Sequence, residues 1–251
     1  MARVDLNCFV GNWPFHYVRN NSLEDLIKLH KANDIEYGYV SALEAIFYHD
    51  PYEADSRLAK ELEGTAYRHV VTVNPKLPGC CDSVRRMVRE FLVAGVRILP
   101  GFHDYLLTDP DVEKLCELLE ELNLPLFLTL RMEDERAQYM FITNEVPTWD
   151  IDGFLGRHRN IKIVICNIRN GEASYLTNLL KYYDNVSIDC SGFKNGLFAI
   201  DEFYKSGILD AVVYGSTAPI FCMKSTVLLI ETADIPADAK KAVFEGKRFF
   251  G

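Results

Sequence analysis

Residues 109–131 read DPDVEKLCELLEELNLPLFLTLR, and this stretch contains one helix and one strand in succession. Asp109-Pro110 predicts the start of the helix, because proline suits the first turn and acidic side chains stabilise the N-terminal end. Leucines then recur at helical spacing, at Leu115, Leu118, Leu119 and Leu122. Asn123 ends the helix, and the apolar run after it predicts a strand that is buried on both faces.

The same alternation of short apolar runs and longer helical stretches extends over the whole chain. Eight β-then-α units in about 250 residues are typical of a (β/α)8 TIM barrel, and we expect residues 1–251 to form a single barrel domain. The alternative is an open doubly wound sheet, but its first strand-to-helix turn is usually rich in glycine, and Phe9–Asn12 contains only Gly11. The predicted strands are Arg3–Phe9, Glu36–Ser41, His69–Val73, Gly95–Leu99, Pro125–Arg131, Ile161–Asn167, Asn185–Cys190 and Ala211–Gly215.

The composition excludes several classes of protein. With 49% hydrophobic and 25% charged residues, the 251-residue chain is neither disordered nor collagen-like. Its net charge of −9 argues against a nucleic-acid partner. No apolar run reaches the roughly 18 residues of a membrane span, so no membrane partner is expected. Seven scattered cysteines, and Asp5 where a signal peptide would be apolar, predict a cytoplasmic protein with reduced thiols. An oligomer is compatible with this composition.

Three arginines follow the apolar parts of three successive predicted strands, at Arg97, Arg131 and Arg169. The active site of a barrel gathers at the carboxyl ends of its strands, so these side chains are expected near one rim. Arginine does not lose its charge, and such a group needs carboxylates or a bound anion. One interpretation is that internal acids neutralise the arginines, namely Glu133, Asp134 and Asp189. The other is a pocket for a small anionic molecule that carries a carboxylate or phosphate.

Two titratable residues are candidates for proton transfer. Asp189 ends predicted strand seven between Ile188 and Cys190, where burial would raise its pKa and make it a general base. Its alternative role is that of a structural carboxylate bonded to an arginine. His103 follows strand four, on the face where an acid–base histidine belongs, although it could also be an ordinary surface residue. His16, after strand one, is a weaker candidate.

Four segments of the chain, in order, resemble the amidohydrolase-related metal-dependent hydrolases, which are TIM barrels. The segments are VDLNCFVG at residues 4–11, GVRILP at 95–100, VVYGSTAP at 212–219 and the closing KRFFG at 247–251. The resemblance covers essentially the whole chain. It implies a hydrolase, or in some members a decarboxylase, that uses one or two divalent metal ions. The ligands it implies are two histidines on strand one, one histidine each on strands five and six, and an aspartate on strand eight.

The residues at these ligand positions differ from the family pattern. Asparagine and threonine are poor ligands for a zinc-type ion, and phenylalanine cannot bind one. We therefore expect no usual metal centre and no cofactor, and a pocket in which guanidinium and amide donors bind an anion. Asn7, Asn167 and Thr217 are then candidate substrate-binding residues together with the three arginines. The ligand positions are occupied by Asn7 and Phe9, by Thr129 or Arg131, by Asn167 and by Thr217.

Three functions are compatible with these residues. The first is a metal-independent hydrolase or lyase of this superfamily, in which the arginines bind a small carboxylated substrate and Asp189 or His103 moves a proton. The second is a non-catalytic barrel that binds an anionic ligand or a protein partner. The third is a hydrolase that holds zinc or another divalent cation with an unusual ligand set, namely Asp5, His16, His103 and Asp189.

The segment Met132–Arg159 is longer than the corresponding segments after the other strands. Long insertions on this face of a barrel often cover the active site. Trp149 and Phe154 in this segment could therefore serve a lid or a subunit contact. The alternative is that the extra residues add only helix packing.

Overall fold

Eight parallel strands form one sheet in which each strand pairs with the next along the chain. This computed structural model describes residues 2–134, 136, 140–193 and 198–251. Each strand overlaps the run predicted for it, within three residues at either end. The strands are β1 Val4–Val10, β2 Tyr37–Ala42, β3 Arg68–Thr72, β4 Val93–Ile98, β5 Leu126–Thr129, β6 Ile163–Cys166, β7 Val186–Asp189 and β8 Val212–Val213.

Backbone hydrogen bonds between the first strand and the segment around β8 close the sheet into a barrel. The Leu6 amide donates to the Tyr214 carbonyl at 2.9 Å, and the Thr217 amide donates to the Asn7 carbonyl at 2.6 Å. A third bond joins the Phe9 amide to the Ala218 carbonyl at 2.7 Å. An open sheet would leave these edge groups unpaired. The predicted (β/α)8 barrel is therefore confirmed.

The helices surround this barrel, and the capping signals in the sequence mark their ends. The Ser22 side chain accepts a hydrogen bond from the Asp25 amide, and Asp109 caps the helix that Pro110 begins. Asn123 ends that helix in the left-handed conformation, with φ 52°. The helices are α1 Leu23–Lys31, α2 Tyr52–Leu62, α3 Cys80–Glu90, α4 Pro100–His103, α5 Pro110–Leu122, α6 Thr148–Arg157, α7 Asn170–Tyr175, α8 Thr177–Tyr182, α9 Ala199–Ser206, α10 Met223–Glu231, α11 Ala237–Phe244 and α12 Lys247–Phe250.

Two helices end differently from what the apolar periodicity predicts. A helix expected over Cys80–Ala94 stops at Glu90, because Phe91 is extended and Val93 already pairs with His69 of β3. A helix expected over Ala173–Tyr182 is divided at Leu176 into α7 and α8. The predicted helix Asn195–Ser206 is observed from Ala199, and residues 194–197 lie outside the described part of the chain.

The lower half of the barrel interior is an apolar layer that the last helix of the chain closes. Phe249 of α12 packs against Tyr39 of β2 and Phe127 of β5, with ring centroids 5.4 and 6.0 Å apart. The side chains that fill this layer are Val4, Leu6, Tyr39, Val70, Phe127, Val164, Cys166, Val213 and Phe249. The polar residues discussed below therefore lie above an apolar floor. Among the described residues, no helix has the length and apolarity needed to cross a membrane.

We predict that Gly95→Ala destabilises the barrel, whereas Gly171→Ala does not. A β-carbon at Gly95 would lie 2.5 Å from Cε2 of the buried Phe127 ring, whereas one at Gly171 would meet no atom within 4 Å. Overpacking of this kind costs about 1–3 kcal/mol, whereas alanine in a helix is favoured over glycine by up to about 1 kcal/mol. Urea unfolding of both variants measures the difference. Equal urea midpoints for the two variants would contradict the tight packing of Gly95 against Phe127 in the apolar layer.

Candidate active site

A layer of polar side chains crosses the barrel directly above the apolar floor. Each of seven strands, all except β3, contributes one member within it or shortly after its carboxyl end, and each member is essentially inaccessible to solvent. Barrel enzymes place their chemistry at this end. The layer, called the polar layer below, comprises Asn7, Ser41, Arg97, Thr129, Asn167, Asp189 and Thr217.

The side-chain amide of Asn7 joins the members of the polar layer. Its Oδ1 accepts a hydrogen bond from Arg97 Nη1 at 2.9 Å, and its Nδ2 donates to Asp189 Oδ2 at 2.5 Å. Nδ2 also lies 2.7 Å from Asn167 Oδ1 and 2.9 Å from Thr217 Oγ1. A guanidinium can only donate and a carboxylate can only accept, so these two neighbours fix the orientation of the amide. Asn7 thus links a buried cation to a buried anion.

The Arg97 guanidinium is held by neutral groups. Nε donates to Ser41 Oγ at 2.9 Å and Nη1 donates to Thr129 Oγ1 at 2.6 Å. The Phe9 ring centroid lies 4.4 Å from the guanidinium carbon on one side, and the Phe127 centroid lies 5.6 Å from it. Both distances are within the range of cation–π contacts.

Arg97 keeps an unused donor. In the part of the chain that the structure describes, Nη2 has no hydrogen-bond partner. The Cys166 thiol lies beside the guanidinium, and burial raises the pKa of this thiol to about 12 although the positive charge opposes the shift. A neutral thiol is only a weak acceptor. The buried donor is therefore available to a stronger acceptor.

Asp189 lies on the other side of Asn7 and is fully buried. Oδ1 accepts hydrogen bonds from the backbone amide of Asn167 at 2.9 Å and from Ser191 Oγ at 2.9 Å. Burial raises the pKa of Asp189 to about 6, and these hydrogen bonds together with that from Asn7 limit the rise. Near neutral pH the carboxyl group can therefore both lose and regain a proton.

Two members of the polar layer have left-handed backbones. Asn167, directly after β6, has φ 60°, and Thr217, four residues after β8, has φ 52°. Asparagine tolerates this region, but a β-branched threonine there is a steric outlier. Such strain is maintained only where the surrounding structure imposes it, and it is often found at functional sites.

The other two predicted arginines do not converge on Arg97. Arg131 forms a bidentate ion pair with Glu172, at 2.8 and 2.7 Å, and its Nη1 also donates to the Asn167 carbonyl. Arg169 Nη1 lies 3.3 Å from Glu145 Oε1. Both arginines line a cleft of about 240 Å³ at the barrel mouth. The acid that neutralises Arg131 is thus Glu172, and not one of the expected partners Glu133, Asp134 and Asp189.

The two histidines on this face have different environments. His103 is largely buried, Nε2 donates to the Ile46 carbonyl at 2.8 Å, and burial lowers its pKa. His16 Nδ1 lies 2.9 Å from Glu133 Oε1. Within the described ranges, the ligand atoms of Asp5, His16, His103 and Asp189 form no compact group that could hold a metal ion.

Asp5, Cys8 and His30 form a different compact group, with ligand atoms within 4.8 Å of one another. Asp5 Oδ2 accepts from His30 Nε2 at 3.1 Å and from Ser216 Oγ at 2.5 Å. His30 Nδ1 lies 2.8 Å from the Tyr67 hydroxyl. Burial raises the pKa of Cys8 well above its usual value, so sulfur keeps its proton. Because both ring nitrogens and the carboxylate are already engaged, this group braces β1 against the segment after β8.

Aromatic side chains cover the polar layer. We call Trp13, Phe15, Phe47, Phe102 and Phe141 the aromatic cap. Trp13 lies 5.4 Å from both Phe15 and Phe47, and Phe141 stacks on Phe15 at 5.8 Å. Trp13 also belongs to the buried cluster that contains Phe9, whose ring packs on Arg97. The cap thus seals the polar layer from above.

The long segment after β5 contributes to both covering and packing. Phe141 places this segment in the aromatic cap. Phe154 of α6 is fully buried in the core, which corrects its assignment to a lid or subunit contact, whereas Trp149 is exposed. Residues 135 and 137–139 of this segment lie outside the described part.

Comparison with known proteins identifies a matching family model and several similar solved structures. Residues 16–251 match the family model described as Amidohydrolase. Similar solved structures include 5-carboxyvanillate decarboxylase from Sphingomonas paucimobilis, with 16% identity over 99% of this chain and 98% of that chain and a TM-score of 0.73. The 2,6-dihydroxybenzoate decarboxylase from Rhizobium has 13% identity over 99% and 98% of the chains and a TM-score of 0.71.

A third similar structure is a probable 2-pyrone-4,6-dicarboxylic acid hydrolase from Acinetobacter baumannii with citric acid bound. It has 14% identity over the full length of both chains and a TM-score of 0.70. At these identities the likeness concerns the fold. A search of curated proteins finds no match to this sequence.

We predict that Asp189→Asn changes how stability depends on pH. The native carboxyl has a pKa of about 6, whereas an unfolded aspartate has a pKa of about 3.9. Between these values the native state binds the proton more tightly, so stability falls as pH rises, by about 3 kcal/mol in total, and the loss is complete above about pH 6. The asparagine variant lacks this loss. From about pH 4 to pH 7 the variant should therefore gain up to about 3 kcal/mol relative to the parent protein.

Urea unfolding at several pH values measures this gap. Asp152→Asn on an exposed position of α6 serves as the control, because it reports what the loss of a surface carboxylate does. The measured quantity is the difference in unfolding free energy between each variant and the parent protein. If this difference varies with pH in the same way for Asp189→Asn and for Asp152→Asn, position 189 does not hold a carboxyl with a raised pKa.

Proposed function

This chain belongs to the amidohydrolase family, and on that basis we propose that it is a hydrolase or lyase for a small carboxylated molecule and works without the divalent metal of the family. The similar structures named above are decarboxylases of carboxyvanillate and dihydroxybenzoate and a probable hydrolase of a dicarboxylic acid. The substrates in these names carry carboxylates. That agreement favours an anionic substrate for the present barrel.

The observation that carries the proposal is the buried Arg97 guanidinium with its unused Nη2. Asn167 Nδ2 is likewise buried and without a hydrogen-bond partner among the described residues. Both atoms are donors, and one bears a full positive charge. A carboxylate oxygen is the acceptor that suits such a pair, because charge-assisted hydrogen bonds are stronger than those between neutral groups. Arg97 and Asn167 therefore bind the substrate carboxylate in this proposal.

The residues of the polar layer do not suit a divalent cation. The positions that the family gives to histidines and an aspartate hold amides, hydroxyl groups and Phe9. Asn7 Oδ1 and Thr129 Oγ1 are also bound by the Arg97 guanidinium, at 2.9 and 2.6 Å. A metal ion at these oxygens would face a fixed positive charge at close range. We therefore derive no step through a metal ion.

Asp189 is the proton-transfer residue in this proposal. A carboxyl with a pKa of about 6 can take a proton from a nucleophile or give one to a leaving atom. Asn7 Nδ2 donates a hydrogen bond to it, and Thr217 completes the set that surrounds the Asn7 side-chain amide. His103 could share this role only through Nδ1, because Nε2 already donates to Ile46. Arg131 and Arg169, at the mouth, would guide the anion inwards.

A non-catalytic barrel that binds an anion is the second candidate, and a specific observation favours it. Both Asp189 oxygens already accept hydrogen bonds, from Asn7, the Asn167 amide and the Ser191 hydroxyl. A carboxylate with these partners could be purely structural. The two candidates share the Arg97 site and differ only in turnover.

We predict that small carboxylates bind to the protein and that Arg97→Met weakens their binding about 10- to 100-fold. The loss corresponds to a hydrogen bond with a charged group, which contributes about 1.5–3 kcal/mol. Isothermal titration with benzoate, citrate and 2,6-dihydroxybenzoate measures it. Arg97→Lys keeps the charge and tests whether the fold tolerates a change there. Arg85→Met removes an exposed arginine that pairs with Glu121, and it should leave affinity unchanged. Equal affinity in Arg97→Met and the parent would refute the site.

We further predict that turnover persists in the presence of a chelator and falls about 10²- to 10⁴-fold in Asp189→Asn, as expected for loss of a general acid–base group. The assay follows decarboxylation of 2,6-dihydroxybenzoate and hydrolysis of mono-4-nitrophenyl succinate, with metal analysis of the same preparation. Carboxylate binding without turnover would select the non-catalytic candidate. Stoichiometric zinc, with activity lost on chelation, would overturn the metal-free chemistry.

A further inference from the structure

The loops after β1 and β5 bring together an acid–base pair that the proposed chemistry has not used. His16 follows Trp13 and Phe15 of the aromatic cap, and Glu133 lies four residues beyond the end of β5. Both loops are on the catalytic face of the barrel. His16 Nδ1 and Glu133 Oε1 are 2.9 Å apart.

The two side chains differ sharply in exposure. The Glu133 side chain is 7% exposed, whereas that of His16 is 46% exposed. Nδ1 and Oε1 are close, but they lack the alignment of a hydrogen bond, and Oε1 has no hydrogen-bond partner among the described residues. The contact is therefore one of charge, in which the carboxylate favours the imidazolium that forms when the ring accepts a proton. A buried carboxylate beside a histidine supports general-base catalysis in this way.

Glu133 contacts a histidine although two arginines line the same cleft, and this also favours a functional role. Glu133 lines the cleft at the barrel mouth together with Arg131 and Arg169. A carboxylate with only a structural role would be neutralised by an arginine, because buried charges need opposite charges. Arg131 instead pairs with Glu172, and Glu133 contacts the half-exposed His16. The buried charge is thus placed against a group that can change its protonation state.

We propose that His16 is a further catalytic residue, a proton acceptor at the open side of the site, and that Glu133 is its positioning residue. The inference rests on the proposed function and deepens it. Asp189 is sealed in the polar layer, so it cannot take a proton from water that enters at the mouth of the barrel. Acid–base catalysis of hydrolysis needs a second group where water enters. His16 beside the cleft is such a group.

The hydrolytic step then balances as follows. His16 Nε2 takes a proton from water while the water oxygen bonds to the acyl carbon of the substrate. The bond from that carbon to the leaving oxygen or nitrogen breaks, and the leaving atom takes a proton from the Asp189 carboxylic acid. His16 afterwards gives its proton to solvent, and Asp189 regains one as the product departs.

Chemical rescue tests this role. In His16→Gly we expect kcat for mono-4-nitrophenyl succinate to fall about 10²- to 10⁴-fold, with KM changed less than about threefold and with recovery when free imidazole is added. A residue with a merely structural role would not be replaced by imidazole in solution. Glu133→Gln removes the carboxylate charge beside the ring, and we expect it to lower kcat without rescue by imidazole while KM stays close to that of the parent. His49→Gly, an exposed histidine after β2, is the matched control and should retain parental kinetics.

The outcomes separate this inference from the proposed function. Parental kcat in His16→Gly, or a loss of kcat that imidazole does not restore, overturns the role of His16 and leaves the proposed function intact. Parental kcat in Glu133→Gln overturns the role of Glu133. A parent protein that neither binds nor turns over the carboxylated probes overturns both. Loss of kcat with imidazole rescue establishes His16 as the proton acceptor.

Discussion

The hydrogen bonds of one amide, that of Asn7, hold a buried cation and a buried anion apart within the same layer. Arg97 lies on one side and Asp189 on the other, and each reaches a different atom of the amide. Direct contact would let the two charges neutralise each other, and neither would be available to a ligand. The separation instead leaves Arg97 Nη2 without a partner among the described residues, and burial raises the pKa of Asp189. The chemistry proposed for the barrel depends on this arrangement.

The apolar layers above and below the polar layer strengthen the electrostatic interactions of these two charges. Phe127 belongs to the apolar floor, Phe9 packs on the guanidinium from the other side, and the aromatic cap lies above. Electrostatic interactions are larger in such a medium than in water. A ligand that enters must displace part of the cap, and Trp13 Nε1, which has no partner in the described part of the chain, offers one further donor to it. The burial of the polar layer strengthens the binding of a ligand, but it also means that the aromatic cap must open before a ligand can enter.

Strand periodicity predicted the centre of the site but not its rim. Successive residues of a strand face opposite sides, and this period places Asn7, Arg97 and Asp189 on the inner face of their strands. The same parity could have indicated Ser41, which lies two residues after the inward Tyr39 and was missed. The fold was predictable for the same reason, since eight apolar runs of similar length separate the helices.

Loop side chains follow no such period, and their partners could not be deduced. Glu172 lies three residues beyond Arg169 in sequence, yet it pairs with Arg131, because α7 turns it back over the end of β5. Nothing in the sequence around His30 indicates a role, although the helix that carries it places its ring nitrogen 3.1 Å from the Asp5 carboxylate. The aromatic cap draws residues from four loops. Contacts of this kind depend on how the loops fold over the barrel, which the hydrophobic pattern does not contain.

Replacement of a metal ion by a guanidinium has a chemical consequence that connects the centre of the barrel with its rim. A divalent ion binds an anion and also lowers the pKa of a bound water, so it supplies both charge and nucleophile. Arginine can supply only the charge, because it keeps its protons and cannot bind the water oxygen as a Lewis acid. A barrel that relies on Arg97 must therefore obtain its base from a side chain. Asp189 at the sealed end and His16, beside the Glu133 carboxylate at the open end, lie where such bases are needed.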